Sequence, residues 1–192
     1  MILRRVHDPA GPAVPIASLK EHLRLSGTDD LLLVHGVLSA ATGWVEQYIR
    51  RSLISQGWEL TLDCWASPWI ELPRAPILSV SEVRYLDVAG VPAVLAPTAY
   101  QLDDRSAPGR LAPAFGARWP TSLNQIASIT IAYQAGYGAS WNDVPEPIRH
   151  AIMMMAAHLY ENREAVVVGT AATELPMAVH TILEPYRVWG VL

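Results

Sequence analysis

Between Leu32 and Ile49, apolar or small residues fall in adjacent pairs every four positions, at 32, 33, 36, 37, 40, 41, 44, 45, 48 and 49, and no other stretch of the chain is so regular. Pairs at that spacing follow an α-helix of about 3.6 residues per turn, but they drift by about 40° per repeat, so the stripe wraps much of the circumference. A helix built this way needs more than one neighbour. Asp29 and Asp30 stand where its N-cap is expected. Upstream, Pro15 or the capping-box spacing of Ser18-Leu19-Lys20-Glu21 predicts a short helix through about Leu25, ended by Gly27.

After Arg51 the period changes from helical to two. Trp58, Leu60, Leu62 and Cys64 alternate with Glu59, Thr61 and Asp63, the pattern of a half-buried strand, which puts Cys64 on the apolar side as an inert thiol. Further strands are expected at Ile70 to Leu72, Val80 to Leu86, Tyr100 to Leu102, Arg110 to Ala112 and Ile126 to Tyr133, separated by Pro, Gly and Asp turns. The stretch from Ala107 to Pro120 reads as irregular, with Phe115 and Trp119 as its packing residues. Ala135-Gly136-Tyr137-Gly138 lacks the third glycine and lysine of a phosphate loop and is a turn closing the β region.

From Val144 the helical period returns. Ile148, Ala151, Ile152, Met155, Ala156 and Leu159 share one face of a helix that Pro145 or Pro147 can start. Glu164 to Glu174 reads as a loop, and Leu175-Pro176 opens a last helix that Pro185 stops. The predicted fold class is therefore α+β: a small bundle of about four helices, with a β-rich lobe inserted between helices 2 and 3. The helical part is 15–54 and 144–189, the β lobe about 57–138, and 1–192 is expected to be a single domain.

Composition narrows the function. A chain of 192 residues can bury about 70% of its unfolded surface, so no staple is needed. With one Cys there is no internal disulfide, and no secretory leader pattern opens the chain, so synthesis in the cytoplasm is expected. The longest aliphatic runs, Leu31 to Val34 and Ala151 to Ala157, fall far short of the ~18 residues of a membrane helix, so no membrane partner is expected. Seven Trp and seven Tyr in a chain with mean hydropathy of +0.20 predict a core plus a subunit interface. Lys20 is the only lysine, and the excess of Arg fits either an interface preference or a genome-composition bias. A net charge of -4 argues against wrapping nucleic acid, and the pairs Arg4-Arg5 and Arg50-Arg51 are placed on solvated faces.

No Walker loop, dinucleotide fingerprint, zinc-protease helix, nucleophile elbow or paired-Cys site is present. The best metal-like spacing is His158 with Glu161, with His150 two turns earlier, but an amphipathic polar edge with His158 near the helix C-terminal end is the preferred reading. His22, His35 and His180 stand alone on helices, and Met153 to Met155 read as core filler. No cofactor or metal is expected.

Several stretches together resemble the head-tail connector (adaptor) family of tailed bacteriophages and gene transfer agents. They are Lys20-Glu21-His22-Leu23-Arg24; Trp44 to Arg51 followed by Leu53, Gln56 and Trp58; Ile70-Glu71-Leu72-Pro73-Arg74-Ala75-Pro76-Ile77 with Ser79-Val80 and Val83-Tyr85; Ala135-Gly136-Tyr137-Gly138, Val144-Pro145, Ile148 and Ala151-Ile152; His158 to Arg163; and Leu183 with Pro185 to Trp189. The second helix departs from the family pattern, ending Tyr48-Ile49-Arg50-Arg51 where relatives often place Thr-Gly-Arg. The resemblance implies a non-enzymatic subunit of the virion or particle neck, assembled in the bacterial cytoplasm as a homo-oligomeric ring, typically a dodecamer. Such a ring sits between the portal protein and a tail-side neck or stopper protein, and DNA passes through its lumen without sequence-specific binding. A small metal-dependent enzyme using His158 and Glu161 and a DNA-packaging accessory factor are the competing readings. The segment past the last helix breaker, with Tyr186, Arg187, Val188, Trp189, Val191 and Leu192, is expected to contact the portal, and deletion of Arg187 to Leu192 to abolish that contact and leave the fold intact.

Overall fold

The computed structural model describes residues 1–25, 30–66, 68–162 and 177–189. In chain order the elements are β1 (Ile2–His7), α1 (Ile16–His22), α2 (Leu31–Ile49), β2 (Gln56–Leu62), β3 (Ile70–Leu72), β4 (Ile77–Leu86), β5 (Pro92–Val94), β6 (Tyr100–Asp103), β7 (Gly109–Pro113), β8 (Ile129–Ala135), α3 (Glu146–Glu161) and α4 (Met177–Leu183). Short 3-10 turns lie at Pro97–Ala99, Trp141–Asp143 and Glu184–Tyr186. The fold class is α+β, with the helices drawn from the two ends of the chain and all strands but β1 lying between α2 and α3.

Two apolar clusters organise these elements. One joins Leu19 of α1, Val34, Val37, Leu38, Ala41, Val45 and Ile49 of α2, Ile148, Ile152 and Met155 of α3, and Val179 and Leu183 of α4. The other lies in the β lobe, from Trp58, Leu60 and Leu62 to Ile70, Leu72, Val83, Leu111, Ile129, Ile131 and Tyr133. Of the paired stripe on α2, positions 37, 41, 45 and 49 are buried; Leu32, Gly36 and Ala40 face outward, and Trp44 and Tyr48 are half-buried. The drift of the stripe thus leaves an outer apolar flank.

The strands form a five-stranded antiparallel sheet of order β1-β2-β8-β4-β5 and a three-stranded one of order β3-β7-β6. In the larger sheet Trp58 pairs with Tyr133 and Leu60 with Ile131, so both central strands turn the same apolar face to the core. Chain segments 51–56 and 136–138 stitch lobe to helices: Tyr137 N–H donates to Leu53 O (2.9 Å) and Ser55 N–H to Gly138 O (2.8 Å). Gly136, at φ +143°, crosses here; a Cβ on it would lie 2.6 Å from the Ile54 and Ser55 backbone.

Several sequence expectations need correction. α1 ends at His22 rather than Leu25, closed by Arg24 in the left-handed region (φ 56°), with Arg24 N–H on Glu21 O and Leu25 N–H on Lys20 O. Its N-cap is Pro15, with no side-chain cap, so the Ser18 box does not form. Asp30 holds the N-cap position of α2 but is left-handed (φ 65°) and caps nothing with its side chain; instead it accepts from the Tyr160 hydroxyl (3.1 Å). Gly27, Asp29, the loop from Glu164 to Glu174 and the opening Leu175-Pro176 lie outside the described residues.

Cys64 is exposed, not buried: β2 stops at Leu62, where Asp63 turns away to accept from Ala127 N–H (2.8 Å) and, through its carbonyl, from the Ser128 hydroxyl (2.8 Å), so the alternation ends before reaching the thiol. Within the stretch from Ala107 to Pro120, the strand expected at Arg110 to Ala112 forms as Gly109–Pro113, the central strand of the small sheet. Trp119 does pack, stacking on Trp65 with centroids 4.7 Å apart, but Phe115 is exposed. Arg51 leaves solvent to donate from Nε to Tyr186 O (2.6 Å). Strands β1 and β5 are edge strands without a clean alternation, so no periodicity announced them.

Candidate partner-contact surface

The last described residues fold back onto the end of α2. A helix leaves its final carbonyls without internal donors; here Val188 N–H donates to Ile49 O (3.0 Å), and Val188 is buried. One turn earlier, Trp44 and Tyr48 are four residues apart and therefore neighbours on one helix face; their rings stack at 5.2 Å with planes 5° apart. The His180 ring on α4 meets both edge-on, at 5.5 Å and 4.9 Å. The Tyr48 hydroxyl donates to Glu184 Oε2 (2.9 Å); burial and this carboxylate hold its pKa above the ordinary value.

Arg187 completes a ladder. Its guanidinium lies over both the Tyr48 ring (5.1 Å) and the Trp189 ring (4.3 Å). Each such cation–π contact contributes about 0.5–1 kcal/mol at an exposed site. Trp189 remains 65% exposed, an indole pre-positioned on a rigid stack and open outward. Of the six C-terminal residues singled out from the sequence, Tyr186 and Val188 anchor the segment, Arg187 joins the ladder and Trp189 faces outward; Val191 and Leu192 lie outside the described residues.

A second polar centre, unmarked in the sequence, locks the helix-to-strand junction. Glu46 Oε1 accepts from Leu53 N–H (2.8 Å) and Gln56 Nε2 (2.9 Å). Burial raises the Glu46 pKa, more than these bonds and the Arg74 and Arg5 charges lower it. Arg74 donates to Gln47 Oε1 (2.8 Å) and lies over the Trp58 ring (5.1 Å), whose Nε1 donates to the buried Ser52 hydroxyl (2.9 Å). Glu46 sits between apolar neighbours of the α2 stripe, so spacing alone does not distinguish it from a solvated surface carboxylate.

The metal-like spacing on α3 does not converge. His158 Nδ1 faces the Asn162 amide at 3.3 Å, and that amide donates to His158 O (2.9 Å), whereas His150 meets the edge of the His22 ring at 6.3 Å. Among the described residues no group of three or more His, Cys, Asp or Glu is arranged to share an ion, and no helix is long and apolar enough to cross a membrane.

The exposed end of the Arg187 ladder presents indole, phenol and guanidinium groups, the side-chain types enriched at binding hot spots. No family model and no curated protein matches the chain. Among solved structures, a chain in the virion of a native gene transfer agent particle is 32% identical over 100% of this chain and 98% of its own, with a TM-score of 0.81. A chain in the neck of an empty gene transfer agent particle, computed with C6 symmetry, is 33% identical over the same shares, TM-score 0.81. A third, in the neck of the native particle computed with C12 symmetry, is 30% identical, covers 100% and 98%, and has a TM-score of 0.79. The chain belongs to the family of these gene transfer agent neck proteins.

Proposed function

We propose that this protein is the head-tail adaptor of a gene transfer agent or phage-like particle: a non-enzymatic ring subunit, twelve to the ring, seated between the portal and the tail-side neck component. The observation that carries this reading is likeness to neck chains along the entire length, at 30% to 33% identity. Necks computed with C12 and C6 symmetry support the ring. A net charge of -4 suits a conduit through which DNA moves, because a strongly basic wall would hold the duplex by counterion release.

The portal contact is assigned to the C-terminal end, Tyr186 to Leu192, with Trp189 as its exposed anchor. Electron microscopy of particles from cells lacking the gene, then complemented, tests the adaptor role. The expected result is DNA-filled or leaking heads beside unattached tails, joined again on complementation. Normal particles without the gene would overturn it. Trp189→Ala should give the same unjoined heads and tails with a normally folded subunit, and normal joining would remove Trp189 from the portal contact.

A further inference from the structure

Phe115, the only phenylalanine of the chain, is fully exposed. It is not on a loose loop. Ala117 N–H donates to Ala114 O (2.8 Å), Gly116 takes the left-handed conformation (φ +76°) that the third position of a type II turn requires, and Ala114 N–H is tied to Ala99 O (3.0 Å). The turn beyond β7 therefore holds an aromatic knob in water, at a hydrophobic cost of about 1.5–3 kcal/mol relative to burial. Arg118, three residues on, is exposed and makes no ion pair or hydrogen bond among the described residues.

Elsewhere on the same chain is a groove of about 590 Å³, between the segment linking β1 to α1 and the face of α2 that carries Leu38, Ser39, Thr42 and Gly43. Pro12, Ile16, Leu38, Leu53 and Ile54 supply apolar wall, and Ser39 and Gly43 let another chain approach closely. Glu46 lies at its floor; both of its described bonds go to Oε1, and Oε2 accepts none among the described residues while not being sealed from solvent. Asp8 at the rim is already paired with Arg5 (2.9 Å). The groove therefore combines apolar walls with one carboxylate oxygen that has no hydrogen bond among the described residues, although Arg5 of the lining and Arg74 already act on Glu46 by charge.

A closed ring is built from a heterologous contact, in which each copy presents two different and complementary surfaces. We infer that the Phe115 turn of one copy docks in the α2 groove of the next, with Phe115 between the apolar walls and the Arg118 guanidinium meeting Glu46 Oε2. Apolar fit and charge both match, and the two halves lie on different parts of one chain, as head-to-tail contact requires. This rests on the ring-subunit reading above and adds which surfaces close the ring.

The test uses assembled particles. In a Cys64→Ser background that keeps Phe115, Ala117→Cys, an exposed position of the same turn, is combined with Ser39→Cys, and particles are treated with a short bis-maleimide. The expected result is a ladder of dimers and higher multimers of this chain on a denaturing gel, absent from either single-cysteine variant. Particles that contain the protein but give no ladder, or give Ala117→Cys linked to a different protein, overturn the inference while leaving the neck reading standing. Wild-type protein absent from the particles overturns the neck reading itself. Phe115→Ala should keep its circular-dichroism melting curve and lose incorporation into particles about tenfold, the size of a hot-spot truncation; incorporation at the wild-type level would contradict the inference.

Discussion

Val188 N–H closes the last carbonyl of α2 by donating to Ile49 O at 3.0 Å, with Arg51 gripping the neighbouring Tyr186 carbonyl at 2.6 Å. The C-terminal segment is thus part of the fold before it is available as a contact. Removing Arg187 to Leu192 would take away a buried valine and a helix-capping donor, so the truncated chain should melt several degrees lower. Trp189→Ala should melt within about 0.5 kcal/mol of wild type, the usual range for an exposed position. Thermal unfolding of both variants checks this: equal melting of truncation and wild type would mean that the segment does not cap α2.

Gly136→Ala should be strongly destabilising. The added carbon would lie 2.6 Å from backbone atoms of Ile54 and Ser55, at φ +143°, and backbone cannot step aside as a flexible side chain can. A loss of about 3 kcal/mol or more is expected, read from denaturant unfolding. A loss below about 1 kcal/mol would mean that the junction between helices and lobe is looser than the structure has it.

Tyr133→Phe isolates one buried hydrogen bond. The Tyr133 hydroxyl donates to Pro73 O (3.0 Å) in the β-lobe core, and burial pushes its pKa up. The phenylalanine keeps the ring and strands the carbonyl, which costs about 1–3 kcal/mol. Urea melts at neutral pH provide the readout, and an unchanged midpoint would mean that the carbonyl finds another donor.

Glu46→Gln carries a pH signature. Burial raises the folded-state pKa above the ordinary 4.5, so the folded state keeps its proton to higher pH than the unfolded one. Stability then falls as pH rises from the unfolded pKa through the folded one, and stays at the lower level above it. Glutamine escapes that penalty and can still accept from Leu53 N–H and Gln56. The variant should match wild type below about pH 4 and be the more stable at pH 7. A less stable variant at pH 7 would show that attraction from Arg74 and Arg5 outweighs burial.

The central helices were legible because their cores lie along them. In α3 the positions 148, 151, 152, 155 and 156 predicted from periodicity are buried and the sixth, Leu159, is half-buried, while in β2 Trp58, Leu60 and Leu62 alternate inward as expected. The edge strands β1 and β5 were not, since an edge exposed on both faces writes no alternation into its residues. Phe115 shows the converse failure. An aromatic residue in a Pro- and Gly-rich stretch reads as a packing residue, and only the turn geometry carries it outward. Of the aromatic–arginine ladder, Trp44 and Tyr48 are linked by helical spacing, whereas Arg187 and Trp189 join them through a chain reversal that no local pattern records.

By itself, then, the sequence determined the period of each major element, the α+β order and the lack of a recognisable catalytic motif, because these depend on residues close together in the chain. Tertiary structure alone decided that Glu46 is a half-buried junction carboxylate, that Cys64 is exposed, and that a groove on α2 and a knob at Phe115 coexist on one molecule. Each of those depends on burial and on contacts between segments far apart in sequence, and burial is a property of the packed assembly of elements, not of any stretch of chain.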